Sequence, residues 1–488
     1  MEDDFSTIPT FDAIRALAFV GDLSMGQPTD HSVRTAWLAS RLAAAAGLPP
    51  PDVDVAQEAA LLRWSGCTAN AGGFADILGD DVAGREAMLA MRPDWAASLD
   101  SVGGVQQAIL PLAQAHCEVS GELARMLGLS RETQATLRHI FECFDGNGMP
   151  DGLTGSQVPL TVFVVNLAGD LEIFSRTYGL EGACALIARK AGAQYPQELA
   201  ALATRLAGDL LRALERETDA AVQANLLTDG MAQMTVPELI ADVADLKLPW
   251  LTGFSRRVAH AAARCCASLG MDELTQGQVY RAGLIHGLGR AAVPNTIWAA
   301  PPPLAESAWE KIRLVPYWTA RAGKQIASLS TEAEIASYGY ERLDGSGYFR
   351  GVGGNAVPLK GQVLGISIIW EALRSTRPWR NAMTVAEASA HLRGEAERGR
   401  LDREIVERMI APAPQGDGAR KKSTDHALSP REAEVLRHIS LGSSNKAAAR
   451  ALGLSPSTVA THLESVFRKL GCSTRAAATL KASTLGLL

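Results

Sequence analysis

Apolar residues recur at three- and four-residue spacing in Val33–Ala46, Val119–Leu127, Leu199–Leu214 and Val258–Leu269. That is the period of a helix with one buried face. Two denser apolar runs, Val158–Leu167 and Val363–Ile369, are the strongest strand candidates, but each continues into helix-compatible sequence. The stretch Leu210–Gln233 reads as a helical connection. Between the helical stretches lie glycine-rich DGxG segments, where glycine permits positive φ and close approach. The pattern predicts an all-α chain.

The predicted elements occur twice. Residues 141–160 (FECFDGNGMPDGLTGSQVPL) and 340–359 (YERLDGSGYFRGVGGNAVPL) align without a gap at an offset of 199 and share nine of twenty positions, among them Glu142/Glu341 and Asp145/Asp344. Further upstream, residues 30–48 match 253–271 at an offset of 223, and LLRWSG (61–66) matches LIHGLG (284–289) at the same offset. Two diverged copies of one domain explain this, with boundaries predicted at 10–215 and 216–410. Ala411–Ala427 mixes Pro, Gly, Ser and charge without apolar periodicity and reads as a linker. The four acidic residues of the repeated loops are expected to order those loops.

Composition adds three constraints. No apolar run approaches the roughly 20 residues that a membrane-spanning helix needs, and the acidic start lacks the basic and apolar regions of a secretion signal. The expected setting is cytoplasmic, with no membrane partner. Seven scattered cysteines without a C-x-x-C pair are expected to be buried, reduced thiols. The net charge of -6 conceals an asymmetry: residues 411–488 hold eleven Lys and Arg against five Asp and Glu, while the rest of the chain is acidic. A basic end on an acidic body suits contact with nucleic acid.

The motif order in each copy resembles the HD-GYP family of helical, metal-dependent phosphodiesterases associated with cyclic di-GMP. The likeness is strongest in ERLDGSGYFRG (341–351), the following VPLKGQVLGISIIWEAL and RPWRNAMTVAEA. Such enzymes need several histidines and carboxylates converging on their metals. In the second copy the matching positions hold Phe254, His286-Gly287, Arg290, Val315, Gly339-Tyr340 and Ile368. In the first copy they hold His31, Arg63-Trp64, His116, Ile140-Phe141 and Gly169, with Asp170 adjacent. The replacements imply a body without catalysis, with no metal and no other cofactor. His31, His116 and His286 are then expected as hydrogen-bonded core residues. Tyr340, Trp318, Tyr348 and Trp64 are candidates to line a residual pocket, for which no ligand residues can be named.

Residues 428–488 are punctuated as four helices: Ser429-Pro430 with Glu432, then Ser444 or Asn445, then Ser455-Pro456, then Ser473 or Thr474 open them, and Gly442, Gly453 and Gly471 close them. Short helices joined in this way form a helix-turn-helix. LSPREAEVL, SNKAAARALGLSPSTVATHL and FRKLG resemble the LuxR-type DNA-binding domain at its spacing. The likeness implies that the third helix enters the major groove of double-stranded DNA, placing Ser457, Thr458, Ala460, Thr461 and His462 on or near the leading face. Lys446, Arg468 and Lys469 suit phosphates.

The expected protein is a DNA-binding transcriptional regulator and homodimer, whose degenerate body senses a small-molecule effector or dimerises. The alternatives are a residual phosphohydrolase using His31, His116 and Asp170, and an interaction scaffold.

Overall fold

The computed structural model describes residues 6–93, 95–97, 99, 104–412 and 428–488. The predicted linker therefore lies, beyond Pro412, outside the described residues. The chain is all-α as expected; the strands among the described residues are two residues long, Ile8–Pro9 and Met234–Thr235. No described helix is long and apolar enough to cross a membrane. The described residues divide into two compact units, one within 9–235 and the other comprising 6–8, 236–412 and 428–488.

The first unit is built on the helices Thr10–Ser24, His31–Ala45, Pro50–Leu62, Gly104–Met126 and Leu160–Lys190. Their apolar stripes supply a core that includes Leu17, Leu38, Leu61, Leu123 and Val164, all below 1% exposed. Burying each such side chain contributes about 1.5–3 kcal/mol over leaving it in water. The apolar run Val158–Leu167 enters the helix Leu160–Lys190, as the continuing periodicity required, and Gly179 breaks that helix with φ 72°. The connection after Leu210 is the end of Gln197–Arg216 and a short helix, Asp219–Ala224.

The second unit repeats the plan with Glu238–Asp245, Phe254–Ser268, Glu273–Ile285, Val315–Gln325 and Leu359–Leu373. Two contacts recur at the sequence offsets. Ser32 donates its backbone N–H and hydroxyl to Asp22 at 3.1 and 2.6 Å, and Ser255 does the same to Asp245 at 2.8 and 2.7 Å. Glu142 accepts the loop N–H groups of Asp151 and Leu153, while Glu341 accepts that of Arg350. Asp145 and Asp344 each accept the N–H two residues on, at 3.0 Å. These carboxylates order the DGxG loops.

The four C-terminal helices are Pro430–Ser440, Asn445–Leu452, Pro456–Leu470 and Arg475–Thr484. Ser429 and Glu432 form a reciprocal capping box, and Ser444, Ser455 and Thr474 cap the other three helices. Gly453 and Gly471 close their helices at φ 65° and 59°, a conformation that costs glycine little. Val435, Ile439, Ala448, Val459 and Leu463 form one core cluster, and Leu436, Val466, Leu470, Ala478 and Ala482 another.

All seven cysteines are free thiols. Burial pushes Cys117 and Cys265 up to about 12 and Cys266 up to about 11, so these stay protonated and unreactive.

Candidate functional site

The helix Pro456–Leu470 turns Val459, Leu463, Val466 and Leu470 inward and leaves Ser457, Thr458, Thr461 and Arg468 exposed. His462 is half-buried, and Lys446 is exposed near the start of the preceding helix. Thr458 sits 2.8 Å from the Ser455 hydroxyl, and Thr461 donates to the Ser457 carbonyl. The leading face predicted from sequence is thus solvent-facing. Lys469 differs from the rest: its Nζ lies 2.6 Å from Glu432 Oε2, while Ser465 donates to the other Glu432 oxygen. Its charge is paired with Glu432 inside the module.

Burial raises the Glu432 carboxyl, but Lys469, Ser465 and Ser429 outweigh it and bring it to about 2, against 4.5 ordinarily. A carboxyl depressed on folding contributes stability above pH 4.5 that is lost as the pH falls toward 2. Unfolding followed by hydrogen exchange in Pro430–Ser440 should show about 2 kcal/mol lost across that window. Glu432→Gln should flatten the dependence. An equally steep profile in that variant would assign it to other groups.

Within the second unit the module rests on the repeat. The Thr252 hydroxyl donates to the Ser440 carbonyl at 2.8 Å, and Ser483 donates to Asp242 at 3.2 Å. Asp242 also takes two bonds from Arg256, at 2.7 and 2.6 Å. A cavity of about 180 Å³ lies beside this contact, lined by Trp250, Leu251, Phe254, Arg290, Tyr340, Tyr348, Arg377 and Trp379, among others. Tyr340 and Tyr348 stack at 5.3 Å, and the Arg377 guanidinium lies 4.5 Å from the Trp250 ring centre. Its Nη1 is buried and makes no hydrogen bond. Burial and the neighbouring Arg290 lower Arg377 to about 9. Tyr340 and Tyr348 therefore line a cavity as expected; Trp318 is not among its lining residues.

The first unit has a cavity of about 280 Å³ whose lining includes Met25, Arg63, Trp64, Phe74, Met88, His116, Phe141, Met149 and Asp170. Trp64 reaches it as expected.

The surviving histidines are fully buried and hydrogen-bonded. His31 Nδ1 donates to Glu172 at 2.6 Å, and His116 Nε2 donates to the Arg63 carbonyl at 2.8 Å. His286 Nδ1 donates to the Gly283 carbonyl at 2.6 Å and its Nε2 accepts from Arg290 at 2.7 Å. Burial lowers His116 to about 3 and His286 well below its ordinary range. A metal would need several free donors. Two former ligand positions are filled from within, since Arg290 occupies the free nitrogen of His286 and the Arg63 guanidinium fills the space beside Gly169 that a longer side chain would take, whereas His31 keeps a buried Nε2 that makes no hydrogen bond. Asp170 is engaged by Lys190 and Tyr195.

A different set converges nearby. His139, Glu142 and Asp151 bring their ligand atoms within 4.8 Å of one another. His139 Nδ1 lies 3.5 Å from Asp151 Oδ2 and makes no hydrogen bond. Of these three, sequence reasoning singled out Glu142 alone; His139, one residue before the family's histidine position, was the available signal.

Residues 238–405 match the family described as HD domain, and residues 426–482 match the bacterial regulatory proteins of the luxR family. The chain carries an HD domain and a luxR-type domain. It is 24% identical over 417 residues to the 3'3'-cGAMP-specific phosphodiesterase 3 of Vibrio cholerae, covering 79% of this chain and 90% of that protein. It is 32% identical to the cyclic di-GMP phosphodiesterase response regulator RpfG of Xanthomonas campestris, over 31% of this chain and 40% of that one. It is 34% identical over 119 residues to the HTH-type transcriptional activator RamA of Corynebacterium glutamicum, covering 24% of this chain and 38% of that one. A crystal structure of a cyclic GMP-AMP specific phosphodiesterase from V. cholerae superposes with a TM-score of 0.59 at 22% identity, covering 83% of this chain and 97% of that one, which establishes the shared fold.

The comparison corrects one expectation. The sequence reading excluded an enzyme, yet the relative aligned across most of both chains is a named phosphodiesterase. The replaced ligands speak only for their own positions, and the His139, Glu142 and Asp151 donors stand outside them.

Proposed function

We propose that this protein is a cytoplasmic transcriptional regulator whose HD body binds a cyclic dinucleotide and thereby sets the DNA affinity of its luxR-type domain. The observation that carries this reading is the turn Pro249–Thr252. Trp250 and Leu251 line the second cavity, while Thr252 bonds the module. Arg290 and Arg377 suit phosphate oxygens, and the surrounding aromatic rings suit bases. Base contacts are assigned to Ser457, Thr458, Thr461 and His462, and phosphate contacts to Lys446 and Arg468. Lys469 acts through Glu432. The active form is a homodimer paired through its body, because the fourth helix of the module packs on Glu238–Asp245 of its own chain.

Gel shifts on the protein's own promoter region, with cyclic di-GMP and 3'3'-cGAMP titrated in, test this. One dinucleotide should change DNA affinity by about 5–150-fold, the usual range of coupling between sites. Arg377→Ala should abolish the response and leave unliganded DNA binding intact. DNA binding indifferent to both dinucleotides would sink the proposal.

A second reading, hydrolysis of the dinucleotide, is favoured by the relatives' names and by the free His139 Nδ1 beside Glu142 and Asp151. Those three residues would hold a divalent ion that polarises a phosphoryl oxygen. Linear dinucleotide formed with manganese and lost in His139→Ala would establish it.

A further inference from the structure

The first-unit cavity differs in chemistry from the second. Much of its lining is methionine and aromatic: Met25, Met88, Met149, Phe74, Phe141 and Trp95. Methionine adapts its shape to irregular apolar guests. Most of its polar side chains already have partners. Asn70 donates to the Leu112 carbonyl and accepts from Arg85, and Asn166 donates to the Ile140 carbonyl. His116, Glu142 and Asp170 are engaged as described above.

Two adjacent residues stand apart. Arg63 is 3% exposed, and its Nε and Nη1 have no acceptor on the protein; Trp64 is 2% exposed, and neither has its indole Nε1. The guanidinium lies 4.1 Å from the Trp64 ring centre, so these donors sit on adjacent groups that both line the cavity. Buried donors without acceptors are costly, about 1–3 kcal/mol each and more for a charged group. An arginine can match the two oxygens of a carboxylate with parallel hydrogen bonds. The nearby Asp170 carboxylate offsets part of the Arg63 charge but makes no hydrogen bond to Nε or Nη1, and its Oδ2 is held by Lys190 and Tyr195. Gly169 is what makes the arrangement possible, because a methyl group there would collide with the Arg63 guanidinium.

We propose that the first-unit cavity is a binding site for an amphipathic carboxylic acid, its carboxylate on Arg63 and Trp64 and its apolar body among the methionines and aromatic rings. A monoanion with a short hydrocarbon body fits this lining better than a dinucleotide, whose sugars and base edges need more unspent polar groups than these walls offer. The site is independent of the dinucleotide reading of the second cavity.

The probes are decanoate and 1-decanol, titrated into the full-length chain without nucleotide and followed by calorimetry and by tryptophan fluorescence, since Trp64 and Trp95 line the cavity. Decanoate should bind saturably and at least tenfold more tightly than decanol. Arg63→Met should remove that preference while leaving decanol binding unchanged. Should Arg63→Met fail to fold by circular dichroism, Gly169→Ala is the second variant; by displacing the guanidinium it should weaken decanoate at least tenfold. Failure of decanoate to bind, equal affinity for the alcohol, or a preference that survives these substitutions would each overturn the proposal.

Discussion

Replacing Asp242 by alanine should destabilise the second unit by about 3 kcal/mol and loosen the DNA-binding module from it. Asp242 is 4% exposed and neutralises Arg256 through two short bonds. Removing one partner of a buried ion pair leaves the other charge uncompensated, which typically costs 3–5 kcal/mol. Arg256 retains some access to water, its side chain being 24% exposed, and this places the expectation at the low end. The same carboxylate holds Ser483, so its loss also removes a tether of the module. Ser483→Ala separates the two effects. It removes only that hydrogen bond, worth about 1 kcal/mol, and leaves Arg256 paired. Urea unfolding should register the Asp242 variant strongly and the Ser483 variant weakly, whereas hydrogen exchange in Arg475–Thr484 should rise in both. Exchange unchanged in both would mean that the Thr252 contact alone seats the module.

The module was legible because its boundaries are written locally. Each helix start has a hydroxyl residue at the cap and each stop a glycine within a few positions, so Ser429, Ser444, Ser455 and Thr474 could be placed without knowing any distant contact. The tandem repeat was legible for a related reason: a loop that needs a buried carboxylate and several glycines keeps them at fixed spacing, as Glu142 and Glu341 do. What stayed hidden depends on residues far apart in sequence. The tether from Ser483 to Asp242 spans 241 positions, and that from Thr252 to Ser440 spans 188. Neither serine carries a local signal of its role. Lys469 illustrates a second limit. A lysine near the end of the third helix gives no local sign that Glu432, thirty-seven residues earlier, pairs with it. At Arg63 the sequence recorded the loss of a ligand but not that the new guanidinium fills space left by Gly169, which is a property of packing.

Arg468→Ala and Lys446→Ala should each weaken DNA binding to all sequences, and the pair should reduce it by one to two orders of magnitude at low salt. Both side chains are exposed and have no acidic partner in the module's ion pairs, so their charge is available to phosphates. Removing either phosphate-binding side chain should flatten the dependence of log affinity on log salt by roughly one unit. Thr461→Ala and Ser457→Ala belong to the other class. Their hydroxyls lie on the exposed face near the start of the third helix, where a base contact is worth about 1–3 kcal/mol of discrimination. They should change which operator is preferred and leave the salt slope alone. Lys469→Ala should follow neither pattern: its main effect is to free Glu432, so binding should fall in step with module stability and recover at lower temperature. Light scattering on the same samples supplies the stoichiometry. A two-fold operator occupied by a dimer should show roughly twice the salt slope of one module, because both copies release counterions together. A slope unmoved by Arg468→Ala with preference altered instead would reverse the orientation assigned to the third helix. It would place Arg468 against base edges and leave Ser457 and Thr461 facing the backbone.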